Sequence, residues 1–302
     1  MRPVRGGTGT GSVSGVSDAR VSTLTYYPVK GLAGVSVERA EAGAAGLQHD
    51  RSFMLVEPDG TFLSQRSLPA MARLHVDVLD DGAGLRLSAD GANDLEIQVA
   101  YDGKRRDVSL FGKWFGAGVV QDPAADAWFT EQLGRSVALV RVTPEHERPG
   151  WGVHPGQTLF GDAHALLIVS VASIDELNAR IVEGGGEPIP VNRFRPNIVV
   201  SGWPEPHTED TVLTASVGTL ELGYAARAIR CAVPTVNQAT GEKNGPEPTR
   251  TLARYRRQPD YGGGVSFGLK AAVLQPGTVA VGDVFTVHEW LPEGSDPAPS
   301  TR

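Results

Sequence analysis

Short runs of β-forming residues, separated by turn residues, fill the sequence from residue 21 to residue 99. Valine, threonine and aromatic residues suit a pleated, half-buried strand, whereas glycine, proline and aspartate favour turns. Pro58-Asp59-Gly60 is such a turn, because proline fixes the φ angle and glycine accepts the strained position. Strands this closely spaced favour antiparallel hairpins in a barrel or sandwich. The predicted strands are Val21–Tyr27, Gly34–Ala40, Ser52–Glu57, Thr61–Gln65, His75–Leu79, Leu85–Ser88 and Leu95–Val99.

Helices are few in the predicted fold. Asp122 followed by Pro123 is the pattern of a helix N-cap with proline in the first turn, and the apolar periodicity that follows ends at Gly134. We expect this helix to bridge the two halves of the chain. Ser173–Glu176 has the form of a capping box and predicts the start of a second helix, and a third is predicted over Pro248–Arg257. The remaining predicted strands are Ala165–Ser170, Asn197–Ser201, Val212–Ala228 and Val279–Val287.

This pattern predicts a mainly β protein with a few helices, an α+β fold in two domains. A β-barrel-like domain is expected at residues 21–121, and a second domain at residues 122–290 that begins with the bridging helix. With 302 residues and ordinary apolar content, the chain can build a core of that size. The Gly/Ser/Thr-rich stretch 1–20 and the Pro/Ser-rich stretch 291–302 are expected to be disordered tails.

Composition excludes several classes of function. A net charge of −7 argues against nucleic-acid binding, because the neutralisation of phosphates needs a basic surface. No apolar stretch is long enough to span a bilayer, and the N-terminal stretch lacks the apolar core of a secretory signal. The seven histidines lack metalloprotease spacing, and no Gly-x-Ser-x-Gly or Walker-type motif occurs. We therefore expect a cytoplasmic protein without nucleic-acid or membrane partners, and a monomer.

Cys231 is the only cysteine, so the chain cannot form an internal disulfide, a cysteine-rich zinc site or a four-thiolate iron–sulfur cluster. The preceding residue is Arg230, and a neighbouring cation favours the thiolate form of a cysteine. Such a thiolate is a candidate nucleophile or a candidate ligand for a soft metal. The alternative is structural, because free cysteines are often buried and behave as small apolar side chains.

Four separated segments carry a more specific pattern. These segments are Tyr27–Gly31, His49–Arg51 with Gly60–Arg66, Asn192–Gly202 and Arg230–Arg256. Together they resemble the MOSC family, which is named after the C-terminal domain of molybdenum-cofactor sulfurases, and in particular its branch of amidoxime-reducing enzymes. The resemblance runs from about Val21 to Val287, and its specificity lies in the order and spacing of the four segments.

The resemblance implies two β-barrel domains that bind a molybdenum cofactor (Mo-molybdopterin), in which a pterin dithiolene holds the metal and a terminal phosphate anchors the far end. It implies that Cys231 is the metal ligand and the catalytic residue, with Arg230 keeping its sulfur ionised, and a soft thiolate suits a thiophilic metal. Lys30, Arg51 and Arg195 would bind the phosphate, because forked and point cations bind anions. The other implied cofactor-binding residues are Gly31, Ser170 and Lys270.

The three phosphate-binding candidates also have structural alternatives. Lys30 and Arg51 could be solvated charges at strand ends, which is the commonest fate of basic residues. Arg195 precedes an apolar strand, where an arginine needs a partner. A carboxylate such as Glu38 or Asp50 could be that partner instead of a ligand.

Several positions depart from the pattern of the relatives or stay ambiguous. Asn237 stands where many relatives have an aspartate, and an amide cannot shuttle protons. Lys270 stands where the amidoxime reducers have a tyrosine, and its ammonium group could reach an anion. Gly31 replaces a residue with a hydroxyl or thiol group, which removes one hydrogen bond to the cofactor. Ser170 lies at a strand-to-helix corner and could cap the helix without contacting the cofactor.

The implied function is that of a molybdenum-dependent oxidoreductase that reduces N-hydroxylated small molecules. Two electrons and two protons are needed to release water, and because the chain has no cluster cysteines, the electrons must come from a separate ferredoxin- or flavin-type partner. Two alternatives stay open. Cys231 could carry a persulfide in a sulfur-transfer protein, although no pyridoxal-phosphate domain is present, or the chain could be a non-catalytic carrier of the molybdenum cofactor. The arginines of residues 250–257 could dock an acidic electron carrier or form a solvated helix face.

Overall fold

The computed structural model describes residues 19–110 and 112–292, and within them the fold is mainly β with three α-helices. This confirms the predicted fold class. Of the expected tails, residues 1–18 and 293–302 lie outside the described part of the chain. No helix in the described residues is long and apolar enough to cross a membrane.

The elements alternate short strands with few helices. The elements of the first half are β1 (Arg20–Tyr26), β2 (Val29–Lys30), β3 (Val35–Ser36), β4 (Arg39–Gly43), β5 (Gly46–Leu47), β6 (Phe53–Val56), β7 (His75–Leu79), β8 (Gly84–Ser88), β9 (Leu95–Gln98), β10 (Arg105–Leu110), β11 (Lys113–Val120), α1 (Pro123–Leu133) and β12 (Ala138–Val142). The elements of the second half are β13 (Leu166–Ser170), α2 (Val171–Glu183), β14 (Ile198–Ser201), β15 (Val212–Val217), β16 (Leu220–Ile229), β17 (Val236–Asn237), β18 (Glu242–Lys243), α3 (Thr249–Tyr255), β19 (Arg257–Gln258), β20 (Gly264–Gln275), β21 (Gly277–Ala280) and β22 (Phe285–Trp290).

The largest sheet has nine strands in the order β22-β15-β16-β20-β13-β14-β1-β3, with β19 paired to β20 at its side. Strands β13 and β14 are parallel, and α2 follows β13 on the crossover between them. Strand β1 adds to β14 in an antiparallel pair. Leu24, Ile168, Val200, Tyr224 and Leu269 are buried in the apolar cluster that this sheet supports. The first strand of the chain therefore completes a sheet that is built mainly from the second half.

A five-stranded sheet of order β10-β11-β12-β6-β2 and the three-stranded sheet β7-β8-β9 supply most of the first half. Helix α1 has the predicted bounds, and its N-cap Asp122 accepts a hydrogen bond from the Ala124 amide at 2.8 Å. Trp128 and Phe129 of α1 pack into the same apolar cluster as Phe53. The structure thus groups α1 with the first half, because its apolar face is buried there, instead of leaving it as a bridge between the halves.

Several local predictions are wrong. Three predicted strands are each divided between two strands by a turn or a break: Gly34–Ala40 falls on β3 and β4, Val212–Ala228 on β15 and β16, and Val279–Val287 on β21 and β22. Residues 61–65 form isolated bridges and no strand, because the Ser64 carbonyl accepts two backbone hydrogen bonds in a turn. Helix α2 begins at Val171, earlier than the capping box suggested, because Ser170 is the N-cap and its Oγ accepts from the Ser173 amide at 3.1 Å. Strands β10, β11, β12 and β20 were not among the predicted strands; the first two are rich in charged residues or glycine, which weaken the β signal.

Candidate functional site

A cavity of about 140 Å³ lies where the ends of several elements meet. Its walls come from the end of β2, the turn after β6, the loops that precede β13 and β14, the residues that follow β16, and the middle of β20. These segments are far apart in the sequence, and the pairing of β1 with β14 is one of the contacts that bring the two halves of the chain together.

Cys231 is exposed and lines the cavity. Strand β16 ends at Ile229, and the Arg230 amide makes one more backbone hydrogen bond, to Val265 O at 2.8 Å, before the chain leaves the sheet. The chain then turns through residues 233–235. The buried Arg193 guanidinium holds this turn, because it donates to the carbonyls of Pro234 and Thr235 at 3.3 and 3.1 Å. The structural alternative for Cys231, a thiol buried in hydrocarbon, is therefore excluded.

Lys30 and Asp162 form an ion pair inside the cavity. The Lys30 side chain is 8% exposed, whereas the Asp162 side chain is 56% exposed. Burial lowers the pKa of Lys30 although the Asp162 carboxylate opposes this shift. Burial by itself would raise the pKa of Asp162, but the Lys30 ammonium outweighs it and holds the pKa of that carboxyl well below its usual range. Lys30 is therefore neutralised by a protein carboxylate within the site.

Arg51 also has a protein carboxylate. Its guanidinium donates to Asp50 Oδ2 at 2.5 Å and to Asn197 Oδ1 at 2.9 Å. Its side chain also lies over the ring of Tyr27, with the guanidinium carbon 4.3 Å from the ring centroid. Asp50, which was a candidate partner for Arg195, pairs with Arg51 instead.

Arg195, Arg230 and Lys270 differ from these two cations, because no carboxylate in the described residues forms an ion pair with them. Like Arg51, Arg195 lies over the ring of Tyr27, with its guanidinium carbon 4.1 Å from the ring centroid. Arg230 donates to the Phe194 carbonyl at 2.9 Å, and its buried Nε has no hydrogen-bond partner among the described residues. The cavity thus carries three positive side chains that form no ion pair with a carboxylate of the described residues, although the Asp162 carboxylate attracts all three from a greater distance.

Burial lowers the pKa of these three cations. The pKa of Arg195 falls to about 10, and that of Arg230 falls in the same direction. The pKa of Lys270 falls to about 8, because burial, together with the charge of Arg230, outweighs the opposing effect of the Asp162 carboxylate. All three groups stay mainly protonated at neutral pH, so they present positive charge to a ligand. A desolvated cation without a counter-ion is costly for the protein and is relieved when an anion binds.

The backbone is strained at two of the cavity arginines. Arg51 has a φ angle of 49° and Arg195 one of 58°, in the left-handed region that few non-glycine residues occupy. Such conformations persist only where the surrounding structure holds them, and they cluster at functional sites. Gly31 has a φ angle of 87°, and a Cβ there would lie 3.0 Å from the methyl group of Met71. The glycine at position 31, where relatives have a residue with a hydroxyl or thiol group, therefore suits the backbone conformation found there.

Of the residues predicted to form the site, six of the cofactor-binding positions line the cavity together with Cys231. Those six are Lys30, Gly31, Arg51, Arg195, Arg230 and Lys270. Ser170 does not line the cavity. It is fully buried behind the sheet, where its Oγ bonds Ser173 and its amide donates to Glu209 at 3.0 Å. Ser170 therefore serves as a helix cap, one of its two predicted roles.

Asp162, His164 and Gln65 also line the cavity, although they were not among the residues predicted to form the site. Asp162 and His164 lie in a Gly/Ala-containing loop before β13 that carries no motif, and no local signal marks them. Gln65 lies within Gly60–Arg66, one of the segments that resemble the MOSC family, so the resemblance could have identified it as a site residue. His164 is buried, its Nε2 contacts the Trp151 carbonyl at 2.7 Å, and burial lowers its pKa to about 4.

Comparison with known families separates the chain into two matched regions. Residues 18–136 match the MOSC N-terminal beta barrel domain, and residues 155–286 match the MOSC domain. The chain belongs to the MOSC family. Both regions contribute to the cavity, since Lys30 and Arg51 come from the first and Arg195, Cys231 and Lys270 from the second.

Curated MOSC relatives cover most of the chain. The bovine mitochondrial amidoxime reducing component 2 is 30% identical over 279 residues, which cover 87% of this chain and 81% of the relative. The human mitochondrial amidoxime-reducing component 1 is 30% identical over 287 residues, with coverage of 87% and 81%. The rice molybdenum cofactor sulfurase is 28% identical over 310 residues, which cover 96% of this chain but 37% of the sulfurase. This chain thus spans little more than a third of the sulfurase.

The residues that line the cavity fit an anionic group whose metal takes a sulfur ligand from the protein. The exposed sulfur of Cys231 supplies a soft donor. The orphaned Nε of Arg230 and the unneutralised charges of Arg195 and Lys270 supply a receptor for phosphate. No group of three or more histidine, cysteine, aspartate or glutamate side chains in the described residues could hold a metal by itself. A metal bound here would therefore need ligands from a cofactor besides Cys231.

Proposed function

We propose that this protein is a molybdenum-cofactor-dependent oxidoreductase that reduces N-hydroxylated small molecules with electrons from a separate redox partner. The observation that carries the proposal is the location of the exposed Cys231 sulfur in the same cavity as three cations that lack a carboxylate. The relatives at 30% identity are amidoxime-reducing components, and this supports the reductase over other molybdenum-related activities.

In this proposal the residues of the chain divide the work of binding. Cys231 Sγ would be the protein ligand of the metal, with the neighbouring Arg230 favouring its ionised form, while Arg195 would hold the terminal phosphate. Lys30 and Arg51, which already have carboxylate partners, would shape the cavity more than they bind the anion. When bound, the cofactor supplies the two-electron change that breaks an N–O bond.

Lys270 and the single cysteine complete the proposal. Lys270 holds a proton at Nζ at neutral pH, because its pKa is about 8, and it lines the cavity with Cys231. The Lys270 ammonium group would attract an anionic ligand and could donate a hydrogen bond or a proton to it. The sequence has a single cysteine, so a ferredoxin- or flavin-type partner would deliver the electrons.

The test is to produce the parent and Cys231→Ser in a host that synthesises the cofactor. Molybdenum and pterin are measured per chain, and turnover of an N-hydroxylated amidine is measured with a strong chemical reductant. We expect molybdenum close to one per chain in the parent and loss of turnover in Cys231→Ser, because a hydroxyl is a poor ligand for a soft metal. Ala232→Ser is the matched control, since it places serine at the neighbouring exposed position.

The other outcomes identify the alternatives. If the parent contains neither molybdenum nor pterin and a persulfide can be trapped on Cys231, the protein is a sulfur-transfer protein. If molybdenum is retained but no N-oxygenated compound is reduced, even with strong chemical reductants, the protein is a cofactor carrier. Either result would overturn the proposed reductase.

A further inference from the structure

The side-chain amide of Gln238 connects three parts of the cavity wall. Its Oε1 accepts from Arg195 at 3.2 Å and from Gln65 Nε2 at 3.2 Å. Its Nε2 donates to Gln65 Oε1 at 2.9 Å and to the Val236 carbonyl at 3.2 Å. Gln65 in turn donates to the Gly31 carbonyl at 2.7 Å. One amide thus connects the loop that follows Cys231 with the first domain and with a cavity cation.

The partners determine the orientation of this amide. A guanidinium can only donate, so Arg195 must face the oxygen of Gln238, and a carbonyl can only accept, so Val236 must face its nitrogen. Gln65 is 1% exposed, and the two glutamines exchange a reciprocal pair of hydrogen bonds. Buried reciprocal amide pairs fix the positions of both side chains, because every alternative leaves a polar atom unsatisfied.

Arg195 depends on this contact for its position. The bond to Gln238 is its only side-chain hydrogen bond within the described residues, and its other close contact is the ring of Tyr27. Arg195 lines the site cavity and also a second cavity of about 230 Å³, which Gln238 lines as well. Without the oxygen of Gln238, the guanidinium could turn into the second cavity and leave the site.

We propose that Gln238 is a positioning residue, which orients Arg195 toward an anionic ligand and holds the cysteine loop (residues 231–241) against the first domain. The inference rests on the proposed function only in taking that ligand to be the phosphate of the molybdenum cofactor. Gln238 does not line the site cavity and so acts through Arg195 and the loop. Binding of the anion and placement of Cys231 are thereby coupled, since one side chain supports both.

The experiment compares Gln238→Ala with Gln275→Ala, an exposed glutamine at the end of β20, as the matched control. Cofactor-free protein is titrated with inorganic phosphate, and the rate at which iodoacetamide alkylates Cys231 is measured. We expect phosphate affinity to fall about tenfold in Gln238→Ala, the loss of one hydrogen bond to a charged group. The alkylation rate should rise because the loop is released, and Gln275→Ala should match the parent in both measurements.

A second variant separates positioning from a general loss of structure. Gln65→Ala removes the partner of Gln238 but leaves the contact with Arg195, so we expect a smaller loss of phosphate affinity than in Gln238→Ala. The double variant should bind phosphate no more weakly than Gln238→Ala, because both changes act through one network. Additive losses in the double variant, or phosphate affinity and alkylation rates equal to the parent in Gln238→Ala, would overturn the proposal.

These measurements use protein without cofactor, so their outcome does not depend on the reaction. Molybdenum and pterin content are measured as well, in protein from a host that makes the cofactor. If the parent contains no cofactor but Gln238→Ala weakens phosphate binding, the proposed function fails and the positioning role stands. If the parent contains cofactor and Gln238→Ala retains it equally, with unchanged phosphate affinity, only the positioning role fails.

Discussion

Two pairs of arginines in this protein meet opposite electrostatic surroundings. Arg227 and Arg256 both donate to Asp210 Oδ2, and the Asp210 side chain is 3% exposed. Arg195 and Arg230 lie against aromatic rings and carbonyl groups and have no carboxylate ion partner among the described residues. Arg227 and Arg230 are three residues apart at the end of β16, so the difference arises over one short stretch of backbone.

The difference separates a structural role from a binding role. Buried cations that share a carboxylate have a counter-ion inside the protein, and loss of that carboxylate affects stability. Partly buried cations without a carboxylate keep an attraction for an external anion. The two lysines of the cavity follow the same division, because Lys30 pairs with Asp162 whereas Lys270 has no ion pair in the described residues. The number of cations in the cavity therefore overstates its positive charge.

The largest expected effect is on stability. Asp210→Asn leaves Arg227 and Arg256 without their buried counter-ion, and we expect a loss of about 3–5 kcal/mol in the free energy of unfolding. Urea denaturation measures it. Asp90→Asn is the control, because Asp90 forms an exposed pair with Arg73 and such pairs contribute about 0–1 kcal/mol. Equal losses in the two variants would show that the Asp210 cluster is not the structural counterpart of the cavity.

An intermediate effect is expected on anion binding. Arg195→Met removes a cation that has no ion pair, so the affinity of the cofactor-free protein for phosphate should fall about thirtyfold, more than in Gln238→Ala, with little change in stability. The double variant Lys30→Met/Asp162→Asn removes a neutral ion pair and should change that affinity by less than about threefold. Calorimetric titration measures both.

Single substitution of Lys30 is not a matched control for this comparison, because it leaves the Asp162 carboxylate unpaired in the cavity. If the double variant lost as much phosphate affinity as Arg195→Met, the division of the cavity cations into neutralised and unneutralised ones would be wrong. If Arg195→Met bound phosphate like the parent, Arg195 would be excluded as an anchor.

A third expected effect is a change in the pH dependence of stability beside the Asp210 cluster. Burial, with the nearby charges of Arg256, Arg227 and Arg180, lowers the pKa of His207 to about 3. Below pH 6.5 the unfolded chain binds a proton at this residue and the folded chain does not, so stability falls as the pH falls from about 6.5 toward 3. His207→Asn should reduce that slope, and asparagine tolerates the φ angle of 63° at this position.

Urea denaturation at several pH values between 4 and 7 measures this slope. His75→Asn is the control, because His75 is exposed on β7. A slope that is the same in the parent and in His207→Asn would show that His207 is not held neutral by its surroundings.

The sequence predicted the bounds of helices and strands best where local side-chain chemistry determines them. Strand β7 has the predicted bounds, and α1 begins at the proline after its predicted cap. Six cofactor-binding positions implied by the family resemblance also lie in one cavity with Cys231. The pairing of β1 with β14 was not foreseen, because pairing depends on which distant edge is available and local propensity carries no information about it.

The sequence by itself determined the supply of chemical groups: one thiol, a neighbouring arginine, a set of dispersed cations, and caps and turns that place them at the ends of elements. Only the tertiary structure decided which cations are free to bind. Lys30 and Asp162 are 132 residues apart in the chain, and Arg195 and Gln238 are 43 apart. Neutralisation depends on distance and on the loss of water around a charge, and both are set when the sheets assemble.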